Sequence, residues 1–141
     1  LTDSEKELIH STWLIVSQDL VGTGSLVFLR IFQLAPDARQ AFTFRHLSDH
    51  ELLIDGTFKS HALRFMRAVD MIMSNLDALD VITIHNLVHL GRVHAGISGF
   101  RAEYLDVFEE AMLGTWSRLL GCQFTTKTKT AWKKIFRLIT S

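Results

Sequence analysis

Proline occurs once in this chain, at Pro36, and that scarcity constrains the fold more than any other feature. A proline inside a helix removes a hydrogen bond and clashes with the preceding turn. The eight glycines sit mostly between periodic segments, which leaves long stretches where helix is unopposed. The chain therefore reads as all-α. "TDSE" at residues 2–5 fits a capping box, with Thr2 as N-cap and Glu5 three residues on, and Leu8, Ile9, Trp13 and Val16 follow at helical spacing. That predicts a first helix through about residue 20. After Gly22 and Gly24, "SLVFLRIFQLA" predicts a second helix that stops near Pro36, because the residue before a proline is pushed out of the α region. Residues 36–55, "PDARQAFTFRHLSDHELLID", read as a short and largely irregular connector.

From residue 56 to about 76 an apolar face predicts a long helix, ended by the polar "SNLDALD". Residues 82–94, "ITIHNLVHLGRVH", predict another in spite of the β-branched run at its start. Residues 100–120 and 125–139 supply two more, the last opened by the hydroxyl of Thr125 or Thr126. No internal repeat, linker or low-complexity tract interrupts this order, so six or seven helices in a single domain spanning 1–141 are expected.

At 141 residues the chain is long enough to bury one substantial core without disulfides or metal staples. Lys plus Arg balance Asp plus Glu at 15 each, so no broad charged field points to nucleic acid or to polybasic membrane attachment. The single cysteine, Cys122, has no internal partner and reads as a small buried hydrophobe. No stretch approaches the roughly 20 continuous apolar residues of a membrane span, and "LTDSEKEL" has no signal-peptide core. A cytoplasmic protein with no transmembrane segment is the expectation, and a start at Leu1 rather than methionine fits a chain processed or excised from something longer.

The chemistry concentrates on histidine. In "FKSHALRFM", residues 58–66, His61 lies within roughly 60° of Phe58 and Phe65 on a helical wheel, with Ala68 and Ile72 near the same line. An imidazole on that apolar face is either a satisfied core group or a ligand. On the 82–94 segment helical phase selects one histidine of three. His94 shares a face with Leu87 and Leu90, whereas His89 is roughly 140° away and His85 about 180°. Two inward histidines, 94 − 61 = 33 positions apart on consecutive helices, invite a shared ligand. Zinc would need three or four protein donors, and no His/Cys/Asp/Glu set converges beside the pair. The surroundings are aromatic and aliphatic instead, as a large flat cofactor requires: Phe28, Phe42, Phe58, Phe65, Leu90, Phe100, Tyr104 and Phe108. Haem supplies four of iron's six ligands from its own ring and leaves two axial positions. Against this stands a core in which aromatic residues at helical spacing merely pack. No nucleophile–base or carboxylate pair lies inside the apolar faces, so an enzyme in the strict sense is not expected.

Order and spacing over nearly the whole chain resemble a globin. "APDARQAF" looks like the corner after the second globin helix, with Phe42 six residues beyond Pro36. "FKSHALRFM" resembles the distal helix with His61 at the distal position, and "LVHLGRVH" ends with His94 at the proximal position. Tyr104, ten residues after His94, opens "EYLDVFEEAML" as the next globin helix opens, "FTTKTKTAWKKIF" fits the final helix, and Trp13 matches the usual first-helix tryptophan. Within the family the chain looks most like the neuroglobin and globin X branch. That resemblance implies haem b (iron protoporphyrin IX) held by His94 and His61 together, a hexacoordinate iron. Phe28 agrees with the branch. Phe44 stands where neuroglobin has a tyrosine near a haem propionate, Arg64 is placed to reach a propionate instead, and Phe65 replaces the usual valine and should crowd the gas site. The cysteine pair of vertebrate neuroglobin is missing.

The leading expectation is a haem protein that binds O2, CO and NO in competition with His61 and serves sensing or electron transfer with a redox partner protein. A pentacoordinate oxygen storage or transport globin is the second reading, and a haem-free globin-fold interaction module the third. A monomer or weak homodimer is expected. Nitrite reduction and nitric oxide oxidation are haem chemistry implied only by the family.

Overall fold

The computed structural model describes residues 1–76 and 103–140. Among the described residues there are six α-helices: α1 Asp3–Val16, α2 Leu20–Leu34, α3 Asp49–Leu52, α4 Gly56–Ser74, α5 Tyr104–Leu120 and α6 Thr126–Thr140. Three 3-10 segments join them, at Ser17–Asp19, Pro36–Ala41 and Gly121–Gln123, and no strand occurs among the described residues. The all-α expectation holds. The helix expected over 82–94 lies outside the described residues.

Helix starts follow capping chemistry. The Thr2 hydroxyl accepts from Glu5 N–H at 3.1 Å while the Glu5 carboxylate accepts from Thr2 N–H at 3.0 Å, the capping box read from "TDSE". Thr125 is the hydroxyl that opens α6, accepting from Thr128 N–H at 3.3 Å. Two boundaries differ from expectation. The first helix ends at Val16 rather than near residue 20, giving way to a 3-10 turn. The second starts at Leu20, before Gly22 and Gly24, because the Asp19 carboxylate caps it by accepting from Gly22 N–H at 2.9 Å.

The connector is also more ordered than expected. Pro36 begins a 3-10 helix, where its missing N–H costs nothing. "SDHE" then forms a second capping box, with Ser48 and Glu51 exchanging bonds at 3.2 and 3.1 Å, and nucleates α3. Arg39 ties the segment together. Its guanidinium meets Asp49 Oδ1 at 2.6 Å, donates to the Leu47 carbonyl and lies 5.6 Å from the Phe32 ring centroid.

The described helices share one core. Trp13, Trp116, Trp132 and Phe136 knit α1, α5 and α6, while Val27, Phe28 and Ile31 of α2 and Ala62, Met66 and Val69 of α4 continue it. The run Asp3–Leu34 has the length and apolarity of a membrane span. Within it Ile9, Trp13, Val16, Val27, Phe28, Ile31 and Phe32 are buried in the helical core. Cys122, expected to be buried, is exposed, because it falls in the polar corner just past α5, where Gly121 adopts φ 55°.

Candidate functional site

His61 projects from the second turn of α4, a helix opened by Asp55, whose carboxylate accepts from Phe58 N–H at 2.9 Å. Its position relative to α2 is set by a close approach of the two backbones. A Cβ at Gly24 would lie 2.8 Å from the Ala62 carbonyl oxygen and 2.8 Å from Met66 Cγ, so only glycine lets α2 cross there. One turn further along α2, the Phe28 ring meets the imidazole of His61 edge-on, with centroids 4.6 Å apart and planes at 68°.

The remaining walls are phenyl rings. Phe42 approaches His61 at 5.0 Å and 72°, and Phe44 at 6.3 Å. Phe42 and Phe44 stack on each other at 5.0 Å and 14°, and Phe44 meets the fully buried Phe58 edge-on at 5.4 Å. His61 is half-buried overall, with its Nε2 sequestered from solvent. Edge-to-face rings at these separations fix one another's orientation as well as excluding water.

Other sequence-predicted residues take distinct places. Phe65, one turn after His61, meets Phe28 at 5.2 Å and Phe108 of α5 at 5.3 Å, both nearly perpendicular. The Tyr104 hydroxyl donates to Asp37 Oδ2 at 3.0 Å, which fastens the start of α5 to the 3-10 segment preceding Phe42. Arg64 is exposed. Phe44 is only 4% exposed, so it belongs to the wall behind Phe42 rather than to an open rim. His94, Leu90 and Phe100 lie outside the described residues.

The sequence reading passed over Phe32, which meets Phe42 at 5.5 Å and both Phe28 and Phe44 at 6.3 Å. Its spacing of one turn from Phe28 was the available signal. Gly24, Asp37 and Arg39 were passed over as well. The first two act through contacts 38 and 67 residues away along the chain, with Ala62 and Tyr104.

Chemically, the arrangement offers one imidazole in a wall of aromatic hydrocarbon. Among the described residues no group of three His/Cys/Asp/Glu gathers to build a metal centre from protein donors alone. A neutral imidazole nitrogen in such surroundings suits a metal that arrives with most of its ligands already attached to a flat apolar frame.

Comparison with known proteins is specific. The Globin family model matches residues 25–141. Neuroglobin-1 of Oncorhynchus mykiss is 28% identical over 141 residues, covering 99% of this chain and 87% of that protein. The neuroglobin of Danio rerio is 28% identical over 144 residues, covering 100% and 89%. Among solved structures, a hexacoordinated heme protein from an anhydrobiotic tardigrade superposes with TM-score 0.90 at 25% identity, over 99% of this chain and 90% of that one.

Proposed function

The chain belongs to the globin family, and from that premise we propose that it binds haem b with His94 and His61 as the two axial ligands of a hexacoordinate iron. The observation that carries this reading is the setting of His61. An imidazole nitrogen is withheld from water on the apolar face of α4 and bordered by Phe28, Phe42 and Phe44. The name of the tardigrade neighbour, a hexacoordinated heme protein, supports a hexacoordinate iron. When bound, the haem would supply an iron that takes up diatomic gases and changes oxidation state. Phe42, backed by Phe44, would give the porphyrin an aromatic wall, and the ring contacts on His61 would limit how far the imidazole swings.

Under this reading O2, CO and NO compete with His61 for the sixth position. Apparent gas affinity is then the intrinsic affinity multiplied by the fraction of molecules with His61 detached. A protein so regulated serves sensing or electron transfer with a redox partner better than bulk oxygen carriage, and the whole of 1–141 acts as one globin domain.

The test is the visible absorption spectrum of the dithionite-reduced protein under nitrogen. Sharp, resolved α and β bands are expected, and His61→Leu should replace them with the single broad band of five-coordinate ferrous iron. A broad band in the unmodified protein would overturn hexacoordination in favour of oxygen storage or transport. A protein that stays colourless after haem reconstitution would make it a haem-free module.

A further inference from the structure

Three indoles meet where α1, α5 and α6 cross. Ring centroids stand 6.3 Å apart for Trp13 and Trp116, 6.1 Å for Trp13 and Trp132, and 5.5 Å for Trp116 and Trp132. Packing alone accounts for such a cluster, but the three N–H groups end differently. Trp132 Nε1 donates to Thr12 Oγ1 at 2.9 Å, and that hydroxyl donates in turn to the Leu8 carbonyl at 2.6 Å. Trp116 Nε1 is buried and has no acceptor among the described residues. Trp13 Nε1 donates to the carboxylate of Asp70, Oδ1 at 3.0 Å, and Asp70 is exposed on α4. One indole of the three therefore faces a Brønsted base that opens to solvent.

That difference decides where an oxidising equivalent would rest. An indole that loses an electron becomes a strong N–H acid, and rings in contact exchange the electron vacancy readily. The vacancy settles where the proton can leave and where a fixed negative charge lies beside it. Trp13 meets both conditions, since the Asp70 carboxylate lies 3.0 Å from its Nε1 and Coulomb attraction is strongest at short range. Trp116 has no acceptor for its proton among the described residues, and Trp132 faces a hydroxyl, a far weaker base than a carboxylate.

We infer that Trp13 is a one-electron redox site, with Asp70 as its proton acceptor and Trp116 and Trp132 as the rings that share the electron vacancy before it settles. In the step, one electron leaves the Trp13 π system for the oxidant. The Nε1–H bond breaks, the proton passes along the hydrogen bond to Asp70 Oδ1, and an O–H bond forms there. The products are a neutral indolyl radical, a carboxylic acid and a reduced oxidant. Return of one electron from a thiol-class reductant, with the proton moving back, restores the starting state. The class of oxidant that fits this chain is a haem oxidised by peroxide, which rests on the proposed haem binding. The assignment to Trp13 and Asp70 does not rest on it, because any one-electron oxidant can charge the cluster.

The experiment uses the purified full chain and a photogenerated ruthenium(III) polypyridyl oxidant, followed by freeze-trapping and electron paramagnetic resonance in H2O and D2O. A neutral radical at Trp13, lacking the exchangeable Nε1 proton coupling, is expected, and Trp13→Phe should abolish it. Asp70→Asn keeps an amide oxygen to accept the hydrogen bond but holds no basic site, so the radical should now retain the Nε1 proton. A radical centred on Trp116, Trp132 or Tyr104, no indole radical at all, or proton loss unchanged in Asp70→Asn would each overturn the inference. If Trp13→Phe does not fold, Asp70→Asn, a substitution at an exposed position, carries the test by itself.

Discussion

Gly24 lies against the carbonyl of Ala62 so closely that an added methyl would sit 2.8 Å from its oxygen, and this contact fixes where α2 crosses α4. Gly24→Ala should destabilise the protein by about 1–3 kcal/mol, the usual cost of overpacking, and more than cancel the gain in helix propensity. Gly114, also helical but exposed and with nothing within 4 Å of its would-be Cβ, should behave oppositely. Gly114→Ala is expected to stabilise by about 0.5–1 kcal/mol. Urea unfolding midpoints for the two variants should therefore move in opposite directions, and a shift of the same sign would refute the close-approach argument.

The buried pair Thr12 and Trp132 separates shape from hydrogen bonding. Thr12→Val preserves volume but strands the Trp132 N–H, at a cost of about 1–3 kcal/mol. Thr12→Ser keeps the acceptor and should cost less. Chemical denaturation of both variants checks the order.

Phe65 is the common neighbour of Phe28 and Phe108. Phe65→Val should cost about 1–3 kcal/mol, below the ~3–5 kcal/mol of a full Phe→Ala truncation, because valine refills part of the space. On the proposed haem reading, with Phe28 less firmly backed against His61, CO rebinding after flash photolysis should also accelerate. Unchanged rebinding beside a clear loss of stability would mean that Phe65 packs without influencing the imidazole.

Glu5 carries a pH dependence. The Lys134 ammonium, 2.7 Å from its Oε2, and the Thr2 N–H hold its pKa down from 4.5 to about 2. A carboxylate depressed by folding stabilises the native state above its unfolded pKa, and that contribution fades as pH falls from 4.5 toward 2. Glu5→Gln keeps the capping box but loses the charge. Its thermal midpoint should be lower than the parent's near pH 7, with the two curves converging as pH falls toward 2. Parallel curves across that range would show that Glu5 is not the titrating group.

Local grammar was legible where a capping box or a helical period carried it. "TDSE" capped α1 as expected, and the period of 3.6 put His61 on the face that meets Phe28 and Phe42. The same S-x-x-E rule applied to "SDHE" would have found α3, which the surrounding turn-rich sequence obscured. Gly22 and Gly24 looked like punctuation and proved to be helical, since helix propensity is a weak prior that a cap at Asp19 and a tight crossing override. Cys122 was misplaced because burial tendencies of a residue type say nothing of a particular corner.

The sequence by itself determined the helical class, the apolar stripe of α4 and the globin-like order of residues, all of which depend on spacings of one or two turns. The tertiary structure alone decided which rings surround His61, that Phe44 backs Phe42 rather than lining a rim, and that Tyr104 reaches Asp37 and Trp13 reaches Asp70. Those pairings join residues on different helices, and the closeness that makes Gly24 indispensable arises only when two backbones cross. Periodicity states which way a side chain faces on its own helix; what it meets there depends on how the helices pack.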